Sequence, residues 1–236
     1  MIGFDRPLKP EWIYETLKMV KVGDKPSIYN EPFENIVKEL VGKEGKRKVR
    51  TIIFRSFIYS FQEKRMVIEK NIFIEWTQKQ TLDYMRPLFL AKLLIDYEIT
   101  RFITKKIELS LNHHTNQLSS AIITQKMIQE YGDREVVRHS VNDFLSTLVH
   151  FKILERIKPR EFRFKKKLSL NNEQAKDFLL LFAQSYLKSG VVDLSKIDTT
   201  LLYFFEKVDF KIVAQEYHGK FWEYIRDVNR NLLLIR

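Results

Sequence analysis

The stretch FRFKKKLSL, Phe162 to Leu170, admits few backbone conformations. Phe162, Phe164, Leu168 and Leu170 share one parity, and Arg163, Lys165, Lys167 and Ser169 share the other. Lys166 alone breaks the alternation. Strand side chains point alternately to opposite faces, so this is the pattern of a half-buried strand with one cationic face. ILERI and the Pro-containing KPRE precede it. Strand, turn and strand predict a hairpin with a loop of about four residues.

Two helical patterns stand before the hairpin. ITQKMIQEYGD predicts a short helix that Thr124 can cap, and Gly132-Asp133 marks a turn. REVVRHSVNDFLSTLVHFKIL predicts a helix ending near Phe151, with Ser140 and Asp143 as an alternative capped start. On this helix Val137, Val141, Phe144, Leu145 and Leu148 form an inner face. Arg138, Asn142, Ser146 and His150 recur every four residues on another.

Helix, turn, helix and hairpin is the order of a winged helix-turn-helix, in which the second helix enters the major groove and the hairpin follows the backbone. Arg and Asn can each make two hydrogen bonds to a base edge, and Ser can bind base or phosphate. Arg163, Lys165 and Lys167, with Lys158 and Arg160 near the turn, would meet phosphates. From Lys152 to Lys167 there are eight basic residues against Glu155 and Glu161, so the charge is clustered. KEGKRKVR, Lys43 to Arg50, is a second basic cluster, in which Lys46, Arg47, Lys48 and Arg50 could extend a DNA track. The bland readings stay open: a solvated helix start, a cationic edge that only resists aggregation, or a winged helix that docks an acidic protein.

The chain as a whole suits a polyanionic partner. Lys and Arg number 41 against 30 Asp and Glu, a net charge of +11 with a pI near 9.6. Hydrophobic residues make up 44%, ample for a buried core, and seven Gly with six Pro favour helices over a loop-rich β protein. The absence of Cys rules out disulfides and Cys-based zinc sites and fits a reducing compartment. The start lacks the pattern of a signal peptide, and the apolar run LFLAKLLI contains Lys92 and is far too short for a bilayer. The expectation is a soluble, cytoplasmic protein.

Residues 1–111 predict an N-terminal helical bundle. KPEWIYETLKMVKVG opens with Pro10 in a first turn, a second short helix covers about Glu31 to Val41, and KEGKRKVRTIIFRSFIYSF gives a third. NIFIEWTQ is ambiguous between strand and helix. From about Gln80 to Leu109 the chain is apolar nearly all round, so it should be the central helix, broken or kinked near Arg86 by Pro87. The polar NHHTNQLSS makes a domain boundary before a C-terminal winged-helix region, 119–236. Asn171 or Asn172 caps a further helix that stops at Gly190. Two helical patterns and a closing hairpin with its turn at Asp227 to Arg230 repeat the earlier order, a possible second winged unit over 194–236.

No catalytic constellation emerges. GKEGK has two residues between its glycines and Arg47 after Lys46, so it fails the phosphate-loop pattern. His113-His114 lies in a polar linker without a nearby Cys or carboxylate cluster, and no nucleophile elbow or dinucleotide loop is present. The expectation is a mainly α, non-catalytic protein without metal or cofactor, with double-stranded DNA as its partner and no membrane.

The segments KRKVRTIIFRSF, RPLFLAKLLIDYEITRFITKKI and HSVNDFLSTLVHFKILER, about half the chain, resemble in order and apolar texture the BrxA-like family of small accessory proteins in BREX phage-exclusion systems. That family carries no catalytic residues. The resemblance implies a DNA-binding component of a prokaryotic defence locus, with other subunits of a defence complex as further partners. A winged-helix protein-interaction subunit or an independent transcriptional regulator is the alternative.

Overall fold

The structure is a computed structural model that describes residues 3–59, 66–111, 114–227 and 230–236. It is mainly helical, with two small antiparallel sheets. Helix α1 (Pro10–Met19) begins on its proline and buries Trp12, Ile13 and Leu17. Helix α2 (Asn30–Ile36) is shorter than its pattern suggested. Helix α3 (Lys43–Ile53) passes into a π-helical segment, Phe54–Ile58. NIFIEWTQ resolves as a helix, α4 (Ile72–Lys79), because the Asn71 side chain accepts from the backbone of Phe73 and Ile74.

Helix α5 (Leu82–Asp96) is the centre, buried at every position from Met85 to Ile95. Contrary to expectation it runs unbroken through Pro87. The break comes instead at Tyr97, whose extended backbone (φ −110°, ψ 97°) separates α5 from α6 (Glu98–Ser110). A proline inside a helix costs about 3 kcal/mol. Burying a run of Leu, Phe and Ile at about 1.5–3 kcal/mol per side chain outweighs that. Helices α1, α4 and α6 all pack against α5, and α1 also packs against α4.

Strand β1 (Gln117–Ser119) and α7 (Ser120–Tyr131) follow. The polar linker thus hides a strand, and α7 starts four residues before Thr124, which lies inside it. Helix α8 (Glu135–His150) leads into β2 (Leu154–Lys158) and β3 (Glu161–Phe164). The alternative start at Ser140 is not used, because Ser140 is buried in mid-helix. The first sheet has the order β1-β3-β2, with Leu118 and Arg156 flanking Phe162.

Helix α9 (Asn172–Leu181) starts with a capping box between Asn171 and Gln174 and passes into a π-helical segment, Phe182–Leu187. Then come β4 (Val191–Asp193), α10 (Thr199–Leu202), α11 (Phe210–Glu216), β5 (Trp222–Arg226) and β6 (Asn231–Ile235). The helical patterns here shrink to one or two turns. The closing hairpin forms as expected, with Asp227 N–H donating to the Arg230 carbonyl; residues 228 and 229 of its turn lie outside the described residues. The second sheet has the order β4-β6-β5. In both sheets a strand just after a long helix pairs with the last strand of a hairpin that closes after two more helices.

One hydrophobic core runs through the whole molecule, from Phe4 to Leu233. Helix α9 packs on α5, where Tyr84 Oη donates to Asp177 Oδ2 (2.8 Å) and Gln174 Nε2 to the Tyr84 carbonyl (2.9 Å). No helix among the described residues is long and apolar enough to cross a membrane.

Candidate nucleic-acid interface

Helix α8 is covered on two sides. Val137, Val141, Phe144, Leu145 and Leu148 are buried in the core as their spacing required. The flank carrying Ser140 and Thr147 is covered by the segment before α1. Phe4 N–H donates to Ser140 Oγ (2.8 Å), Leu8 N–H donates to Thr147 Oγ1 (2.9 Å), and the Phe4 ring packs edge-on against Phe144, with ring centroids 5.9 Å apart. What stays open is a strip through Arg138 and Asn142, with Ser146 half-buried at its end.

Three members of the proposed reading face hold together, and one departs. The Arg138 guanidinium is exposed but held by Asp133 in the preceding turn, through Nε to Oδ1 (2.7 Å) and a second bond from Nη2 to Oδ2. Asn142 is exposed, with Nδ2 near the Arg138 carbonyl (3.3 Å). Ser146 accepts from Arg156 (3.0 Å). His150 does not belong to this face: it packs beside Trp12 of α1 (6.5 Å between rings), and burial lowers its pKa, with Lys9 adding to the effect.

Sequence reasoning missed Arg156. Its guanidinium lies over the Phe162 ring (4.7 Å) and donates to Ser146, so it joins the hairpin to α8. The available signal was parity: Arg156 stands two residues from the buried Leu154, on the same face of β2, the one that meets Phe162.

The hairpin turn is tighter than expected. Lys158 pairs with Glu161 across Pro159 and Arg160, a two-residue loop in place of four. Arg160 has φ +65°, so a proline followed by a left-handed residue gives the pattern of a type II turn. The Arg160 carbonyl accepts from Ser120 N–H (2.9 Å), which fixes the turn to the start of α7, and its side chain is exposed. Lys158 is exposed, with Glu161 at 3.2 Å.

Strand β3 ends at Phe164, earlier than the alternation implied. Beyond it Lys165 N–H still donates to the Ile153 carbonyl (2.8 Å), and Leu168 forms an isolated bridge with Phe205. The slip at Lys166 is where the ladder is lost. Arg163, Lys165, Lys166 and Lys167 are all exposed, while Phe162 and Leu168 are buried. Arg163 stands in register between Gln117 and Glu155. The Lys167 ammonium rests over Tyr203 (5.3 Å).

The second basic cluster divides. Arg47 is exposed, Lys46 lies near Glu34 (3.7 Å), and Lys48 near Glu44 (3.4 Å). Arg50 is packed rather than presented. It donates to the Pro26 carbonyl (2.6 Å) and lies over the Phe54 ring (4.1 Å), and its burial lowers its pKa. Lys48 does face α8: with Glu44 it lines a cleft shared with Arg6, Glu135 and His139. That cleft holds both signs of charge. Burial pushes the Asp143 carboxyl of α8 up to about 6.

His113 lies outside the described residues, and among the described residues no group of three potential ligands could hold a metal ion. In comparisons with known proteins, no family model matches the chain, and no curated protein or solved structure is significantly similar to it.

Proposed function

We propose that the chain binds double-stranded DNA without catalysis, through a winged helix formed by α6, β1, α7, α8, β2 and β3. Helix α8 is the groove-reading helix and the β2–β3 hairpin is the wing. The observation that carries this reading is the bridge from Arg156 to Ser146, which makes the exposed strip of α8 and the cationic hairpin one surface. The strand order β1-β3-β2 supports it, because a strand ahead of the two helices pairs with the far strand of the hairpin. On this surface Arg138 and Asn142 face base edges. Lys158, Arg160, Arg163, Lys165 and Lys167 face phosphates.

The stretch from β4 to β6 is a second winged unit on the same topological ground, with strand order β4-β6-β5. Its surface differs. From Gln117 to Leu170 there are 11 Lys and Arg against 6 Asp and Glu, whereas from Val191 to Arg236 each sign numbers 7. The first unit therefore carries the electrostatic attraction. Together with the resemblance of its helix order to BrxA-like proteins, this gives an accessory DNA-binding component of a phage-exclusion system, acting in the cytoplasm.

The test is a salt titration of binding to a labelled duplex by the purified chain. Each neutralised phosphate adds about 0.9 to the slope of log K against log salt, so the wing with part of the Lys43–Arg50 cluster gives a slope of about −4 to −6. A flat profile, or no binding at low salt, removes the DNA reading and leaves the docking of an acidic protein.

A further inference from the structure

A cavity of about 960 Å³ opens between α4, the C-terminal half of α5 and the π-helical segment after α9. None of its lining residues belongs to α8 or the hairpin. Its volume is in the range of small-molecule pockets. On its α5 wall stand Lys92 and Asp96, one helical turn apart and paired at 2.7 Å, with side chains only 2% and 5% exposed. Lys92 Nζ also reaches Ser185 Oγ on the opposite wall (3.4 Å). An ammonium has three protons, and these contacts use two. Asp96 Oδ2 is buried without a hydrogen-bond partner. The Ser56 hydroxyl stands near it, itself without a partner in hydrogen-bond geometry, and its nearness lowers the Asp96 pKa against the larger effect of burial.

Two buried charges are thus left each with one unmet valence, side by side. That arrangement is costly in a closed core. Burial pushes the Asp96 carboxyl up to about 6. A perturbed titratable group in a cavity is the usual companion of a binding site. At the rim is Lys188, which ends the π-helical segment in the left-handed conformation (φ +50°) and has no ion pair among the described residues. Segments of π-helix of this kind are frequent at functional sites. Lys70 stands at the rim as well, paired with Glu75 (2.9 Å).

We propose that this cavity binds a nucleoside monophosphate, with the base edge on Lys92 and Asp96 and the phosphate on Lys188. The base edge supplies an acceptor for the spare ammonium proton and, beside it, a donor for Asp96 Oδ2. Phosphate alone offers Asp96 no donor at neutral pH and is repelled by it. A nucleoside alone leaves the Lys188 charge unanswered. The apolar walls, Ile72, Ile95 and Leu181, suit the body of a ring.

The experiment is isothermal titration calorimetry of the full chain with AMP, GMP, CMP and UMP, then with the matching nucleoside and with inorganic phosphate. At least one nucleotide binds with a Kd below about 1 mM, and its nucleoside and phosphate each bind at least about tenfold more weakly. Lys188→Ala and Asp96→Asn each weaken the nucleotide by about tenfold or more. Lys188 is a rim residue, so if Asp96→Asn fails to fold, Lys188→Ala decides. No binding of any of the four overturns the proposal. So does phosphate binding as tightly as the nucleotide, or nucleotide binding unchanged in Lys188→Ala. The proposal stands apart from the DNA reading. Both variants keep the parental DNA affinity, and replacing the wing residues leaves nucleotide binding unchanged.

Discussion

Replacing Arg163, Lys165 and Lys167 together with Ala separates a DNA-binding wing from a merely solvated strand. The size of the effect follows from where the three side chains stand. Lys165 is exposed and has no ion pair among the described residues, so it counts as a full phosphate contact. Arg163 sits across from Glu155, and Lys167 rests on Tyr203, so each is partly committed already. One contact sets the floor and three the ceiling. At about 0.9 per contact, the salt slope falls by about 0.9 to about 2.7. At about 0.1 M salt the same relation makes each contact worth about eightfold, so affinity falls by about 8-fold to about 500-fold. Fluorescence anisotropy with a labelled duplex, repeated over a series of KCl concentrations, reads both quantities. The fold should survive, because Phe162 and Leu168 point to the core and the substituted residues to solvent. A control that replaces the exposed Lys18, Lys25 and Lys79 removes the same charge from the N-terminal elements and should change the slope by less than one contact. If the wing variant and the control bind alike, the reasoning fails and the cationic row is only a soluble edge.

Asp133→Asn should release Arg138 from its carboxylate partner and raise DNA affinity, whereas Arg138→Ala with Asn142→Ala should cost about 1–3 kcal/mol of discrimination per lost bidentate contact, both read in competition binding with different duplexes. Asp143 has a folded pKa of about 6 against an ordinary 3.8, so between those values the folded chain holds more protons than the unfolded one, and stability falls as pH rises through that window. Asp143→Asn should therefore stabilise the protein at pH 7 by about 1–2 kcal/mol, at about 1.4 kcal/mol per pK unit reduced for the solvent screening of a partly exposed group, and give no gain at pH 4 in urea unfolding; an equal gain at both pH values refutes the cause. Thr147→Val should cost about 1–3 kcal/mol in the same assay, because Leu8 N–H is left buried without an acceptor.

The parts legible in the sequence were those set by local patterns. The inner face of α8, the Asn171 cap and the existence of both hairpins follow from periodicity and turn residues. What stayed hidden depends on partners distant in sequence. Strand β1 has three residues and no pattern of its own; only its pairing with β3 makes it a strand. Pro87 predicts a break or kink because its local cost is visible in the sequence and the burial around α5 is not. Spacing places His150 on the groove-reading face and Arg50 in a basic track. Trp12, Pro26 and Phe54, which hold them, lie in other segments of the chain. Spacing could not show that Asp133 holds Arg138, nor that Arg156 spans two elements.

The segment that lies along α8 sets a timetable for synthesis. Phe4 and Ser140 are 136 residues apart, and Leu8 and Thr147 are 139 apart. Emerging from a ribosome at about 5–20 residues per second, the first strip must wait on the order of ten seconds for the helix it covers. Through that interval Phe4 and Leu8, both fully buried in the finished fold, are apolar side chains without a seat. Once α8 arrives, closing so long a loop costs little more than closing one half its length, by about 0.6 kcal/mol. The delay is thus a matter of order rather than of strength: α8 is made with its flank bare, and the Phe4–Leu8 segment settles onto it only afterwards.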